Sequence, residues 1–253
     1  MKPNVLVIAG HDPSGGAGIQ ADIEVIHSLG GLAATLITGL TVQNTQNVRG
    51  FELVSVDLLE RQAACLLEDM TFSAVKIGMT GSPAIVRFIA RLLDQLPGVP
   101  VVLDPVLAAE AGGSLGDKSV PEVLLSELFP RAILATPNLP EAEGLAKASG
   151  VQNCGPILVS HGCANVLITG THDDTDAVHN HLFSASGVRD WSWPRLPGSF
   201  HGSGCTLAAA CAALLARGLP LEQALTDAQD YVHRTLQKAW PAGRGQLVPD
   251  RRG

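Results

Sequence analysis

The sequence predicts an α/β fold: a mostly parallel central sheet with helices on both faces and an antiparallel edge. Apolar, β-rich runs alternate with amphipathic helical runs along most of the chain, the pattern of parallel strands joined by crossover helices. Two short runs between residues 180 and 193 alternate with period 2 instead, as an antiparallel pair does. No repeat, low-complexity stretch or composition break divides residues 1–253, so one domain is expected over that length.

In chain order, Val5 to Ala9 reads as the first strand, Ala17 to Leu29 as the first helix, and Leu32 to Thr38 as the second strand, ending at Thr38 and Gly39. Asp57 to Met70 is expected as a helix with Asp57 at its N-cap. Ser82 to Leu96 is another, with Ser82 as cap and Pro83 in the first turn. Strands follow at Ser73 to Ile77, Val99 to Asp104 and Arg131 to Ala135. The turn Thr136-Pro137-Asn138 then enters a helix from Leu139 to Ala148. Ile157 to Ser160 is too brief for periodicity to decide between strand and helix, whereas Ala164 to Thr169 reads as a strand. Asn180 to Ser184 and Val188 to Trp193 form the antiparallel edge, and long helices run from Cys205 to Ala216 and from Leu221 to Trp240. The polar, glycine-rich tail from Ala242 to Gly253 is expected to fray.

Composition removes several classes of function. With 24 acidic against 17 basic residues and a formal charge of -7, the chain lacks the cationic excess that a nucleic-acid backbone demands. The apolar stretch after Met1 and Lys2 is too short for a signal peptide or a membrane span, so a cytoplasmic protein without a membrane partner is expected. The five cysteines lack the spacing of a zinc or redox site. Cys205 stands apart because it opens a helix, where the dipole favours thiolate.

Ligands of an open α/β sheet bind at the carboxyl ends of its strands, so the chemistry belongs in those loops. The first, Gly10-His11-Asp12-Pro13-Ser14-Gly15-Gly16-Ala17-Gly18, loosely matches a dinucleotide fingerprint. Its glycines lie too far past the strand, and the second strand ends without an acidic residue for a ribose, which argues against a dehydrogenase. No Gly-Lys-Ser or Gly-Lys-Thr tripeptide is present, so a P-loop is absent too. The phosphate cradle is better placed at His201-Gly202-Ser203-Gly204-Cys205-Thr206. There glycines, free amides and the positive end of an Ala-rich helix coincide as an anion hole.

Asn138 and Glu141 stand three apart at a helix start. That spacing suits a common capping arrangement, and also a hydrated magnesium ion, which takes one or two protein carboxylates. Asp104, at a strand end, is a further metal or phosphate partner. His172 to His181 matches no zinc template and reads as a solvated turn, while Trp191 and Trp193 read as packing residues rather than a stacking platform.

Taken together, Gly10 to Asp22 (GHDPSGGAGIQAD), Val42-Gln43-Asn44-Thr45, Lys76-Ile77-Gly78-Met79, Val102 to Val106 (VLDPV), Thr136 to Ala142 (TPNLPEA) and His201 to Leu207 (HGSGCTL) resemble the hydroxymethylpyrimidine and phosphomethylpyrimidine kinases of thiamin biosynthesis. The resemblance spans nearly the whole chain. It implies a three-layer ribokinase-like fold and an ATP- and Mg2+-dependent kinase, a homodimer acting on an aminopyrimidine alcohol. Asp22 and Gln43 resemble the residues that hydrogen-bond the pyrimidine, and Met79 and Val106 its apolar neighbours. Asn138 and Glu141 resemble the magnesium and phosphate pair, and Gly202, Ser203, Gly204 and Cys205 the anion hole. Cys205 stands where sugar kinases of the superfamily carry an aspartate base. Many members have Lys-Gly-Gly-His where this chain has Thr169-Gly170-Thr171-His172, so Thr169 takes the nucleotide-facing position of a lysine. The rivals are a pyridoxal-type kinase of the same fold and a sensor that binds without transfer.

Overall fold

The computed structural model describes residues 2–107, 117–170 and 175–252. Nine strands form one sheet in the order β3-β2-β1-β4-β5-β6-β7-β8-β9. They are β1 (Asn4–His11), β2 (Leu32–Gln43), β3 (Val48–Leu53), β4 (Ala74–Ile77), β5 (Val101–Leu103), β6 (Leu134–Ala135), β7 (Asn165–Thr169), β8 (Ala177–Ser184) and β9 (Gly187–Pro194). The run β2-β1-β4-β5-β6-β7 pairs in parallel, and antiparallel pairs, β2 with β3 on one side and β7 with β8 and β8 with β9 on the other, flank it.

Successive residues of a strand face opposite sides of a sheet, so a strand covered on both faces is apolar throughout. In β1, Leu6 and Ile8 join one core while Val5, Val7 and Ala9 join the other. The first core is closed by α2 (Val56–Asp69), α3 (Pro83–Leu93), the short α4 (Val120–Val123), α5 (Leu139–Ala146) and α6 (Val151–Ser160). The second is closed by α1 (Gly18–Ser28), α7 (Ser203–Ala216) and α8 (Leu221–Gln237). Residues 206–214 of α7 are all buried, because its alanines let sheet and neighbouring helices approach from every side. Among the described residues no helix is long and apolar enough to cross a membrane.

Several boundaries differ from the sequence expectation. β2 continues through Gln43 rather than ending at Thr38 and Gly39, because β3, which the periodicity did not show, pairs with its second half. Ser55, not Asp57, caps α2 by accepting from Leu58 N, and Asp57 pairs with Arg61 in the first turn. The strand at Arg131 to Ala135 contracts to Leu134–Ala135, since Phe129–Arg131 forms a 3-10 turn at the end of the helical segment begun by α4. Ile157 to Ser160 lies within helix α6.

The tail is the largest correction. Instead of fraying, it crosses the binding edge: Gln246 N donates to Thr45 O at 3.0 Å, Leu247 N to Ser199 O at 2.9 Å, and His201 N to Leu247 O at 2.8 Å. Long-range pairing replaces the local periodicity that its composition lacks.

Candidate active site

The strand order reverses about β1, whose neighbours β2 and β4 lead away in opposite directions, and such a switch point opens a crevice at the strands' carboxyl ends. A cavity of about 550 Å³ lies there. It brings together Gln43, Met79, Val106, Asp104, Asn138, Glu141, Thr169, Gly202, Ser203, Gly204 and Cys205. Asp22 alone among the sequence candidates does not line it.

Asp22 is buried behind the wall with its carboxylate 3.0 Å from Lys76 Nζ, and Asp104 Oδ2 lies 3.9 Å from the same ammonium. Burial pushes the Asp22 carboxyl up to about 6, against the pull of Lys76. Burial works to lower the lysine's pKa, but Asp22, Cys205 and Asp104 outweigh it and hold the ammonium charged. Lys76 lines the cavity and was missed as a site residue, although a lysine in the otherwise apolar strand Ala74–Ile77 is itself a signal, since buried lysines occur with partners.

Gly202 sits at the N-cap of α7 with φ +74°, and a Cβ there would lie 2.1 Å from Gly16 O. Only glycine permits both the left-handed turn and the contact between the two loops. Thr206 N is bonded to Gly202 O at 2.9 Å, so the amides of Ser203, Gly204 and Cys205 precede the first intrahelical bond and remain available to an anion. Cys205 is half-buried at this wall. The expected thiolate is not favoured: burial pushes the thiol up to about 12, Asp104 and Asp22 add to that, and Lys76 and the Gly18 backbone offset only part.

Asp12 organises the glycine loop. One carboxylate oxygen accepts from Ser14 N and Oγ at 2.9 and 2.7 Å, the other from Ala17 N at 3.0 Å and His201 Nε2 at 2.8 Å. Burial alone would raise its pKa; the bonds from His201 and Ser14 outweigh burial and hold it below the usual carboxylate range. His201 Nε2 is also 3.1 Å from Gln43 Nε2, linking this loop to β2. Asp12 and His201 are invisible as a pair in sequence, being 189 positions apart.

Asn138 and Glu141 form a capping box at α5: Glu141 N donates to Asn138 Oδ1 at 2.9 Å and Asn138 N to Glu141 Oε2 at 3.0 Å. Both also line the cavity. Thr169 closes the same wall, with its N–H on Pro137 O at 3.0 Å. Met79 and Val106 present apolar surface beside Gly10 and Gln43.

The opposite end of the cavity is formed by residues the sequence left as packing or surface. Trp193 faces His233 with ring centroids 5.5 Å apart, and its Nε1 donates to Gln229 Oε1 at 3.2 Å. Trp191 packs on α8 through Thr226 Oγ1 at 3.1 Å and does not line the cavity, whereas Trp193 does. Arg195 lines this end and donates to Thr175 O at 2.7 Å. Of the segment His172 to His181, residues 172–174 lie outside the described residues; instead of a solvated turn, Ala177–His181 belong to β8, where His181 Nδ1 pairs with Asp190 at 2.6 Å.

Magnesium would meet hard oxygen donors here. The Glu141 carboxylate, the Asn138 amide and the Thr136 hydroxyl line one cavity, and among the described residues Thr136 Oγ1 is buried without a hydrogen-bond partner. Such a donor set fits an ion that keeps most of its waters.

Residues 12–250 match the family model described as phosphomethylpyrimidine kinase. The hydroxymethylpyrimidine/phosphomethylpyrimidine kinase of Escherichia coli K12 is 36% identical over 243 residues, covering 93% of this chain and 91% of that one. The thiamine biosynthesis bifunctional protein ThiED of Geobacter sulfurreducens is 37% identical, but this chain spans only 51% of its length. Among solved structures, a phosphomethylpyrimidine kinase from Clostridium difficile 630 superposes with a TM-score of 0.81 at 31% identity, covering 93% of this chain and all of that one. A pyridoxal kinase from Bacillus subtilis in an ADP complex gives 0.89 at 25% identity, covering 99% and 98%. With the match running through the glycine loop, the Asn138 and Glu141 turn and the anion hole, the chain belongs to the phosphomethylpyrimidine kinase family of ribokinase-like kinases.

Proposed function

We propose that this kinase transfers the γ-phosphoryl group of ATP to the hydroxymethyl oxygen of 4-amino-5-hydroxymethyl-2-methylpyrimidine, and that it also phosphorylates the resulting monophosphate. The observation that carries the reading is the anion hole of Ser203, Gly204 and Cys205 in the wall of one cavity. Gln43, Met79 and Val106 line that cavity for a small polar ring, and Thr169, Trp193 and Arg195 line it for a nucleotide.

In this reading the alcohol oxygen attacks the γ-phosphorus in line, the bond to the β-bridging oxygen breaks, and ADP leaves. Little covalent work falls to the protein, so positioning and charge stabilisation supply most of the acceleration. The amides of α7 hold the transferred group. Each such donor is worth about 3–4 kcal/mol in the transition state. Glu141 and Asn138 would hold hydrated magnesium, which supplies charge neutralisation to the phosphates when bound. Asp104 and Cys205 lie close enough to shift each other's ionisation, and Asp104 Oδ2 is 3.9 Å from Lys76 Nζ, so we assign it to the thiol rather than to the metal: the alcohol proton passes to Cys205 Sγ as the thiol proton passes to Asp104.

We also assign a homodimer through the β2–β3 edge, where Leu40 and Val42 are 51% and 60% exposed, and a cytoplasmic location, which suits five free cysteines. Sedimentation should give twice the chain mass, and Val42→Asp should shift it to the monomer. A monomeric wild type would refute that surface.

The decisive assay incubates the protein with ATP, magnesium and, separately, the hydroxymethylpyrimidine, its monophosphate and pyridoxal, with products identified by mass. Phosphorylated pyrimidines with stoichiometric ADP are expected. Turnover of pyridoxal alone would overturn the substrate, and silence on all three would overturn the transfer itself.

A further inference from the structure

Arg251 belongs to none of the motifs and lines no part of the cavity, yet its side chain has no exposed surface. Its guanidinium joins three segments. Nη2 donates to Gly16 O and, at 3.5 Å, to His201 O. Nη1 reaches Glu24 Oε2 at 3.2 Å and Gly15 O at 3.5 Å, and Nε donates to Thr206 Oγ1 at 2.9 Å. The residue is itself anchored, because Tyr231 Oη donates to Arg251 O at 2.7 Å.

The acceptors reveal the purpose of so much hydrogen bonding. Where amides at the start of α7 face the cavity, the carbonyls of the preceding turn face away from it. His201 O and Gly16 O therefore converge behind the anion hole, on the side where Gly202 touches the glycine loop. Buried carbonyls that converge need a donor. A planar fork with several fixed N–H groups meets that need from one side chain, whereas a lysine offers a point charge without the fork.

We propose that Arg251 is a positioning residue for phosphoryl transfer: its guanidinium clamps the loop after β1 onto the first turn of α7, and so sets the approach of Gly18 to Cys205 and the aim of the anion-hole amides. The inference rests on the reading of Ser203, Gly204 and Cys205 as the phosphoryl cradle, but its test has a readout that needs no substrate. Displacements of about 1 Å at such a site cost about 10²-fold in rate.

Full-length Arg251→Ala and Arg251→Lys are compared with wild type and with Arg252→Ala, a control whose side chain is 83% exposed. Alkylation of each cysteine is followed by peptide mass, with exposed Cys65 as the reference and buried Cys154 and Cys211 reporting global opening. In both Arg251 variants Cys205 is expected to alkylate roughly tenfold faster through local opening while Cys154 and Cys211 keep their wild-type rates. In Arg251→Ala, kcat per folded molecule should fall about 10²-fold with little change in either KM. Added guanidinium ion should restore part of both properties to Arg251→Ala and nothing to Arg251→Lys.

Wild-type alkylation of Cys205 in both variants, acceleration of all three thiols together, or a loss of kcat that guanidinium leaves untouched would overturn the proposal. If Arg251→Ala does not fold, the Cys205 rate in Arg251→Lys decides alone. Failure of the functional reading shows separately, as a wild-type protein that does not phosphorylate the pyrimidine, and it leaves the alkylation result standing.

Discussion

In the mechanism we propose, Cys205 is a thiol that accepts a proton in surroundings that discourage its ionisation. The conflict resolves if its own proton has somewhere to go, and Asp104 is the adjacent carboxylate. Cys205→Ala should lower kcat by about 10² to 10⁴, the usual worth of a general base, while the Kd for ATP, measured by calorimetry, stays near the wild-type value. Full turnover in the variant would remove Cys205 from the proton path. Asp12 makes a different prediction. Its folded pKa is depressed, so its stabilisation is complete above the unfolded carboxylate value, about 3.9, and is lost as pH falls through the lower folded value. Urea unfolding of wild type and Asp12→Asn should therefore show a stability gap that is widest at neutral pH and closes in acid. A gap that did not change with pH would show that the ionised carboxylate is not what Ser14, Ala17 and His201 hold.

Among the elements, α7 carries the proposed phosphoryl cradle in its first turn and packs the core with the rest. Gly202→Ala forces a Cβ into Gly16 O at a residue with φ +74°. The left-handed residue alone costs about 1–2 kcal/mol, and the clash must push the two loops apart, so Tm should drop and kcat should fall by about 10². Gly204→Ala meets nothing within 4 Å and should leave Tm unchanged. Equal Tm values for the two variants would show that the loop contact is dispensable. The element scale also marks how far the sequence can be read. β1, α3 and α7 were legible because burial writes continuous or 3.6-period apolar patterns into local sequence. β3, with Arg49, Gly50 and Glu52 among its six residues, carries no such pattern; its pairing with β2 defines it. Asn138 and Glu141 were legible as a cap from spacing alone. The positions of Lys76 and Asp22, one lining the cavity and the other behind it, depend on which way two separate elements face across the sheet.

At the scale of the whole molecule, the binding edge is assembled from distant parts of the chain. Asp12 waits for His201, 189 positions later, and Gly16 for Arg251, 235 positions later. This is also why the tail could not be read: the bonds that seat it on the binding edge, from Gln246, Leu247 and Arg251, lie across the fold rather than along the sequence. Pairings of such separation form late, since loop closure precedes any gain from the contact. During synthesis the glycine loop emerges early and stays without its clamp until residue 251 has left the ribosome. A chain interrupted before that point lacks the clamp we propose, so incomplete products of translation would spend the cell's ATP far more slowly than the finished protein.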